Sequence, residues 1–243
     1  MAPAPPDMAE GSARWSDLRL RLASAAVLLP LALFCLFAGG LPWTGLVILA
    51  AAALVWEWWR MWWRRPGATP AALLAGWLYM LAGAGALLWL RSDAGTGLGD
   101  VLFLLAIVWA SDIGAYLAGR LIGGPKLAPA ISPGKTWSGA AGGLASAMVV
   151  GVLVARAMAQ EGSAVAMPGT LPGTLLVAAM LSVASQLGDL LESALKRYYG
   201  VKDSSRLIPG HGGVFDRLDG VLAAAPLAAL LSLLAGPGNE LWR

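Results

Sequence analysis

Charge is what this chain has least of. Asp, Glu, Lys and Arg make up 13% of its 243 residues, against roughly a quarter in a soluble domain. There is one cysteine, Cys35, set in an apolar run, which excludes an intrachain disulfide and a thiolate metal cluster. There is one histidine, His211, so nitrogen ligation is equally poorly provided for. No internal repeat is visible. A phosphate-binding G-x-x-x-x-G-K-[ST] loop is also missing. Gly134-Lys135-Thr136 supplies its ending, but Pro129 stands where the first glycine belongs, and no strand is predicted ahead of it. What is abundant is apolar surface: 58% of residues are hydrophobic and mean hydropathy is +0.69. An apolar soluble helical protein would share this composition, but several runs here reach the ~20 residues that cross a bilayer. The composition predicts an all-α polytopic transmembrane bundle, and the basic balance is then a matter of loop placement rather than nucleic-acid binding.

Taken in order, residues 1–13 are Pro/Ala-rich without an apolar run and read as a disordered tail. Arg14, Arg19 and Arg21 precede the first run, Leu22–Ala38. A signal peptide has a similar layout, but this run is longer than an h-region and a second follows at once, which favours a retained helix. Further runs are Trp43–Trp56, Ala71–Leu90, Leu98–Ala118, Ala140–Ala157, Thr174–Leu191 and Gly220–Ala235, giving about seven spans, with eight or nine left open. Trp56, Trp58, Trp59, Trp62 and Trp63 alternate with Arg60, Arg64 and Arg65, a pattern that suits the headgroup level. Glycines such as Gly76, Gly83 and Gly85 suit close helix packing, within one chain or between the protomers of a homodimer. With the N-terminus inside, alternating spans put 14 of the 17 Lys and Arg on the cytoplasmic side, leaving Arg91, Arg156 and Arg243 outside. The chain divides into the tail, N-terminal helices over 14–97 and a catalytic membrane region with its loops over 98–243.

Ionisable residues inside a membrane segment are costly and mark function. They crowd between Ser182 and Asp219. Ser182, Ser185, Gln186, Asp189, Glu192, Ser193 and Lys196 recur at steps of three or four, one face of a helix. Ser and Gln alone would fit a hydrogen-bonded seam between helices; two carboxylates and a terminal lysine point to a lined cavity. Asp216 and Asp219 share a face of the last span, with Arg217 between them. Asp189, Asp216 and Asp219 together are expected to hold a hard divalent cation, Mg²⁺ rather than Zn²⁺. Lys196, Arg197, Lys202 and Arg206 would face phosphates, although each is also explained as a positive-inside charge. The Gly210-His211-Gly212-Gly213 turn lets backbone N–H groups approach an anion, and His211 fits a positioning hydrogen bond better than a general base. Ser132, Lys135 and Thr136, after a proline-fixed turn, form a second candidate phosphate contact.

The spacing of Ser193, Leu195, Lys196, Arg197, Lys202, Asp203, Ser205, Ile208, Pro209, His211, Gly212, Gly213, Val214, Asp216, Arg217, Leu218 and Asp219 resembles the full signature of the phosphatidate cytidylyltransferases, the CDP-diacylglycerol synthases. Ser111-Asp112, Gly114-Ala115-Tyr116, Gly119-Arg120 and the stretch Lys126–Trp137 are similar to further segments of that family. The resemblance spans roughly Leu98 to Gly220. One position departs from it: Ser138 stands where the family usually has Glu after Lys-Thr-Trp, and Glu192 or Asp112 is the candidate replacement. The resemblance implies Mg²⁺-dependent transfer of a cytidylyl group from CTP to phosphatidic acid at the cytoplasmic face of a bacterial inner membrane, with a second cation left open. It implies catalytic roles for Asp189, Lys196, Asp216, Arg217 and Asp219. Substrate contacts would come from Ser132, Lys135, Thr136, Ser193, Arg197, Lys202, Asp203, His211, Gly212 and Gly213. A CTP-dependent polyprenol kinase would share the nucleotide and the membrane. A cation-coupled transporter would also carry membrane carboxylates, though commonly near the midplane between inverted repeats. A catalytically inactive scaffold is the remaining alternative, on account of Ser138.

Overall fold

The computed structural model describes residues 6–162, 171–236 and 238–242. It contains α1 (Pro6–Ala38), α2 (Gly40–Trp63), α3 (Pro70–Ser92), α4 (Gly97–Leu121), α5 (Trp137–Gly162), α6 (Leu171–Tyr198) and α7 (Phe215–Ala235). Each of these seven helices holds a stretch long and apolar enough to cross a membrane, so the predicted helical bundle is what forms. Helix α1 starts at Pro6, inside the stretch that composition assigned to a tail, whose residues 1–5 lie outside the described ones. Residues 163–170, most of the predicted loop before the sixth span, also lie outside them.

Three local features differ from the sequence reading. The segment after α4 is an antiparallel hairpin, β1 (Lys126–Ala128) and β2 (Ser132–Thr136), and a strand therefore does precede Gly134-Lys135-Thr136. That tripeptide lies inside β2 rather than in a loop opening a helix, so it remains unlike a phosphate-binding loop. Second, α2 continues past Trp56 to Trp63 and α6 past Leu191 to Tyr198, because Glu, Lys, Arg and Leu sustain a helix as polarity rises. Third, the tryptophans divide. Trp56, Trp59 and Trp63 face outward, with the Arg60 guanidinium 5.2 Å from the Trp56 ring. Trp58 is buried; its Nε1 donates to the Leu73 carbonyl at 3.0 Å and its ring meets Tyr199 edge-on at 5.2 Å. Gly76 makes room for it, since a Cβ there would overlap the indole.

The main core draws Leu36, Trp43, Leu87, Phe103, Leu181 and Ala225 from helices on both sides of residue 97. A smaller one, with Leu54, Trp58, Met80, Tyr199, Phe215 and Leu222, lies under the loop between α6 and α7. At Gly188 α6 approaches the backbone of α7 so closely that a Cβ would lie 2.6 Å from the Asp219 carbonyl oxygen. That approach sets the carboxylates of Asp189 and Asp219 side by side. At the opposite end, Leu241 N donates to Asp100 Oδ1 at 2.8 Å and Thr174 Oγ1 donates to the Trp242 carbonyl at 2.9 Å, folding the last residues back over the bundle.

Candidate functional site

The polar stripe of α6 splits into two halves with different partners. In the deeper half, Ser182 Oγ lies 2.8 Å from Ser111 Oγ of α4. Gln186 Nε2 donates to Ser182 Oγ at 3.2 Å, to Ser111 Oγ at 3.4 Å and to the Ala140 carbonyl at 3.3 Å. This is an interhelical seam of α4, α5 and α6. Such bonds in membranes average about 0.6 kcal/mol each, so Gln186→Leu should lower stability by about 1 kcal/mol, read as an earlier midpoint in SDS-induced unfolding.

The half nearer the loop carries the charges. One carboxylate oxygen each from Asp189, Glu192 and Asp219 lies within 4.8 Å of the others. Lys135 Nζ, delivered by β2, pairs with Asp189 Oδ2 at 2.7 Å. Lys196 Nζ lies 2.5 Å from Glu192 Oε1 and 2.9 Å from Asp216 Oδ1. The other oxygen of Asp216 accepts from Ser204 N at 3.0 Å, Ser204 Oγ at 3.0 Å and Gly213 N at 2.8 Å. Both Asp216 oxygens are thus engaged by protein groups, and the close carboxylate trio contains Glu192 where the sequence reading placed Asp216. Three residues are about 4.5 Å of helix rise, which carries Asp216 up to the loop and leaves Asp219 level with Asp189. Three convergent carboxylates, one of them Asp189 with a side chain 37% exposed, fit a hard, oxygen-seeking divalent cation.

A cavity of about 580 Å³ opens beside Asp189, lined among others by Asp112, Tyr116, Arg120, Lys135, Thr136 and Gln186. Asp112, one candidate replacement for the missing Glu, faces this cavity; Glu192, the other, lies in the trio. Ser138 hydrogen-bonds the Gly123 carbonyl and Thr136 Oγ1, which also accepts from Gly139 N at 3.0 Å, so this corner joins the hairpin to the end of α4. On the other side of α6 an apolar cavity of about 430 Å³ is lined by Trp58, Gly76, Tyr79, Met80, Leu195 and Tyr198. Tyr79 Oη there donates to the Asp219 carbonyl at 3.5 Å.

The glycine-rich turn closes with Ile208 N donating to the Gly212 carbonyl at 2.8 Å, and Gly212 has φ 85°, a conformation that favours glycine. The anion met by the Gly213 N–H is the Asp216 carboxylate. His211 Nδ1 lies 2.9 Å from Ser24 Oγ of α1, and the His211 carbonyl accepts from Arg217 Nε at 3.0 Å. These contacts place the histidine as a strut between α1 and the loop. Arg197 is exposed in the last turn of α6 and Lys202, Asp203 and Arg206 along the loop, while Ser132 and Ser193 are half-buried.

Glu57 of α2 escaped the sequence reading. It is completely buried and accepts four hydrogen bonds from the loop and the start of α7. The available signal was a carboxylate between Trp56 and Trp58 in an apolar run, which the surrounding arginines masked as a surface charge.

Residues 77–235 match the family model described as the cytidylyltransferase family. The chain is 49% identical over 172 residues to a phosphatidate cytidylyltransferase of Brucella suis biovar 1, covering 71% of this chain and 60% of that protein. It is 40% identical over 176 residues to the Pseudomonas aeruginosa protein of the same name, covering 72% and 60%. With that of Haemophilus influenzae the figures are 45% over 130 residues, 54% and 44%. The chain spans about 60% of the length of the first of these curated relatives.

Proposed function

The chain belongs to the cytidylyltransferase family, and from that footing we propose that it transfers CMP from CTP to phosphatidic acid, releasing CDP-diacylglycerol and pyrophosphate. One observation carries this function: Asp189, Glu192 and Asp219 meet Lys135 and Lys196 beside a cavity at one end of an apolar seven-helix bundle. A lipid substrate and a highly charged nucleotide can both reach such a place. The positive-inside distribution of Lys and Arg supports reading that end as the cytoplasmic one, where CTP is.

Asp189, Glu192 and Asp219 would hold Mg²⁺, which when bound neutralises phosphate charge and polarises the α-phosphoryl group. Everything else falls to the chain itself. An oxygen of the lipid phosphate forms the new bond to the α-phosphorus of CTP while the bond to the β-phosphate oxygen breaks, and pyrophosphate carries away the electron pair. The attacking phosphate is already ionised, so no general base is required and His211 is free to position the loop. Catalysis is then chiefly alignment and charge. Lys135 is half-exposed at the cavity and pairs with the triphosphate when it enters. Lys196 and Arg217 hold the loop end of the site. Ser132, Thr136, Ser193, Arg197 and Lys202 complete the polar surround of the two phosphate groups, while Asp203 and the turn His211–Gly213 shape the loop that carries it. The apolar cavity on the far side of α6 suits an acyl chain.

The test is an assay in detergent micelles with phosphatidic acid, Mg²⁺ and CTP labelled either at the α or at the γ phosphate. Label from the α position in the lipid, with γ label in pyrophosphate, is the expected result. Label from the γ position in the lipid would mean a kinase, and no labelled lipid from folded protein would sink the transferase.

A further inference from the structure

We infer that Glu57, on a helix outside the family-matched residues 77–235, is a positioning residue for the site: it caps α7 from across the bundle and thereby fixes Asp216, Lys196 and Asp219. Its Oε1 accepts from Ser205 Oγ at 2.6 Å and Val214 N at 2.8 Å. Its Oε2 accepts from Ser204 Oγ at 3.0 Å and Phe215 N at 2.8 Å. Val214, the residue at the N-cap of α7, makes no side-chain capping bond of its own. The first N–H groups of α7 therefore find their acceptor on α2, and a full negative charge sits at the positive end of the helix.

The connection onward is short. Ser204 Oγ lies 3.0 Å from Glu57 Oε2 and 3.0 Å from Asp216 Oδ2, so its single proton is shared between the two carboxylates and links them. Asp216 holds Lys196, and Lys196 holds Glu192 of the trio. Gly213 packs between: a Cβ there would overlap Ser204 Oγ and crowd Glu57 Oε1. Phe215 and Trp58, neighbours of these groups in sequence, pack in the same small core. A buried carboxylate with four donors, two of them backbone N–H, is built for this placement and has no other partner to serve among the described residues.

The chemistry of the four bonds selects the variant. Hydroxyls can turn from donating to accepting, but backbone N–H groups cannot. Each Glu57 oxygen receives one backbone N–H, so Glu57→Gln sets an amide NH₂ against Val214 N or Phe215 N in either orientation. Asp100→Ala serves as a control, since it removes a buried acceptor at the far end of the bundle.

The inference rests on the proposed transferase for its kinetic arm only. Hydrogen exchange at residues 201–219 and Mn²⁺ affinity are measured on the purified full chain alongside turnover per folded molecule. Glu57→Gln should speed exchange of the Val214 and Phe215 amides, lower kcat and weaken Mn²⁺ binding, each by about tenfold or more, the scale seen for groups that orient metal ligands. CTP KM should move little. Asp100→Ala should lose stability while keeping wild-type kcat and Mn²⁺ affinity per folded molecule. Unchanged exchange at Val214 and Phe215 overturns the capping role. Faster exchange with unchanged kcat and Mn²⁺ affinity overturns the positioning role. A wild-type chain that makes no labelled lipid sinks the transferase, and Mn²⁺ affinity then decides alone: lost in Glu57→Gln it supports the positioning role, retained it refutes it.

Discussion

Asp219→Asn and Asp189→Asn should each abolish formation of labelled CDP-lipid while leaving the bundle folded, whereas Asp216→Asn should unsettle the loop. The difference follows from what each oxygen touches. Asp189 and Asp219 contribute to the trio with Glu192, and replacing one carboxylate with a neutral amide removes a charge from a hard-cation site; at Asp189 the amide oxygen can still accept from Lys135 Nζ, its ion-pair partner at 2.7 Å. A bound cation is worth several kcal/mol of charge stabilisation, and about 4 kcal/mol converts to roughly a thousandfold in rate. Asp216 differs because one oxygen faces the Lys196 ammonium and the other faces three donors. An amide in either orientation points NH₂ at a donor. The measurement is turnover and melting temperature together, followed by Mg²⁺ titration. Full activity in Asp219→Asn would remove the trio as the cation site. A stable, cation-deficient Asp216→Asn would restore the sequence-based trio of Asp189, Asp216 and Asp219.

That trio shows where sequence reasoning stops. Spacing on one helix is local, so the α6 stripe from Ser182 to Lys196 was legible in the sequence, as were the seven apolar runs and, apart from the start of α1 at Pro6, their ends to within about two turns. Which residue of α6 lies level with which residue of α7 is not local. It is set by Gly188, where α7 presses its backbone against α6, and no periodicity reports that. The hairpin was missed for a related reason: its strands are only three and five residues long, the second contains both Pro133 and Gly134, and they pair with each other, so neither alternation nor β-branched enrichment marks them. Glu57 was hidden by its setting. Among tryptophans and arginines a glutamate looks like part of an interface belt, and only tertiary contacts with residues about 150 positions away disclose its partners. The overlap of substrate-facing and loop-building roles has the same origin. Gly213 looked like a phosphate-binding amide and is one in kind, but its anion is Asp216.

Lys196→Met should have the largest effect on stability of any change at the site, and a second substitution should repair the fold without repairing the chemistry. The ammonium sits between Glu192 and Asp216, whose side chains are 3% and 6% exposed. Removing it leaves two carboxylates facing each other out of water. Breaking a buried pair by deleting one partner costs about 3–5 kcal/mol, enough to lower the folded yield in detergent sharply. Adding Glu192→Gln to Lys196→Met removes one of the stranded charges and lets the new amide donate to Asp216, so the melting temperature should recover most of the loss. Turnover should not recover, because the double variant lacks both a lysine beside the phosphates and a carboxylate of the trio. Lys196→Arg keeps the charge but replaces a compact ammonium with a wider planar fork; it should fold like the wild type and turn over more slowly. Circular dichroism melts alongside the α-labelled CTP assay separate these outcomes. A double variant that stays unfolded would mean that Lys196 stabilises the site through contacts other than these two carboxylates. A double variant with wild-type turnover would move the cation from Glu192 to the remaining pair, Asp189 and Asp219.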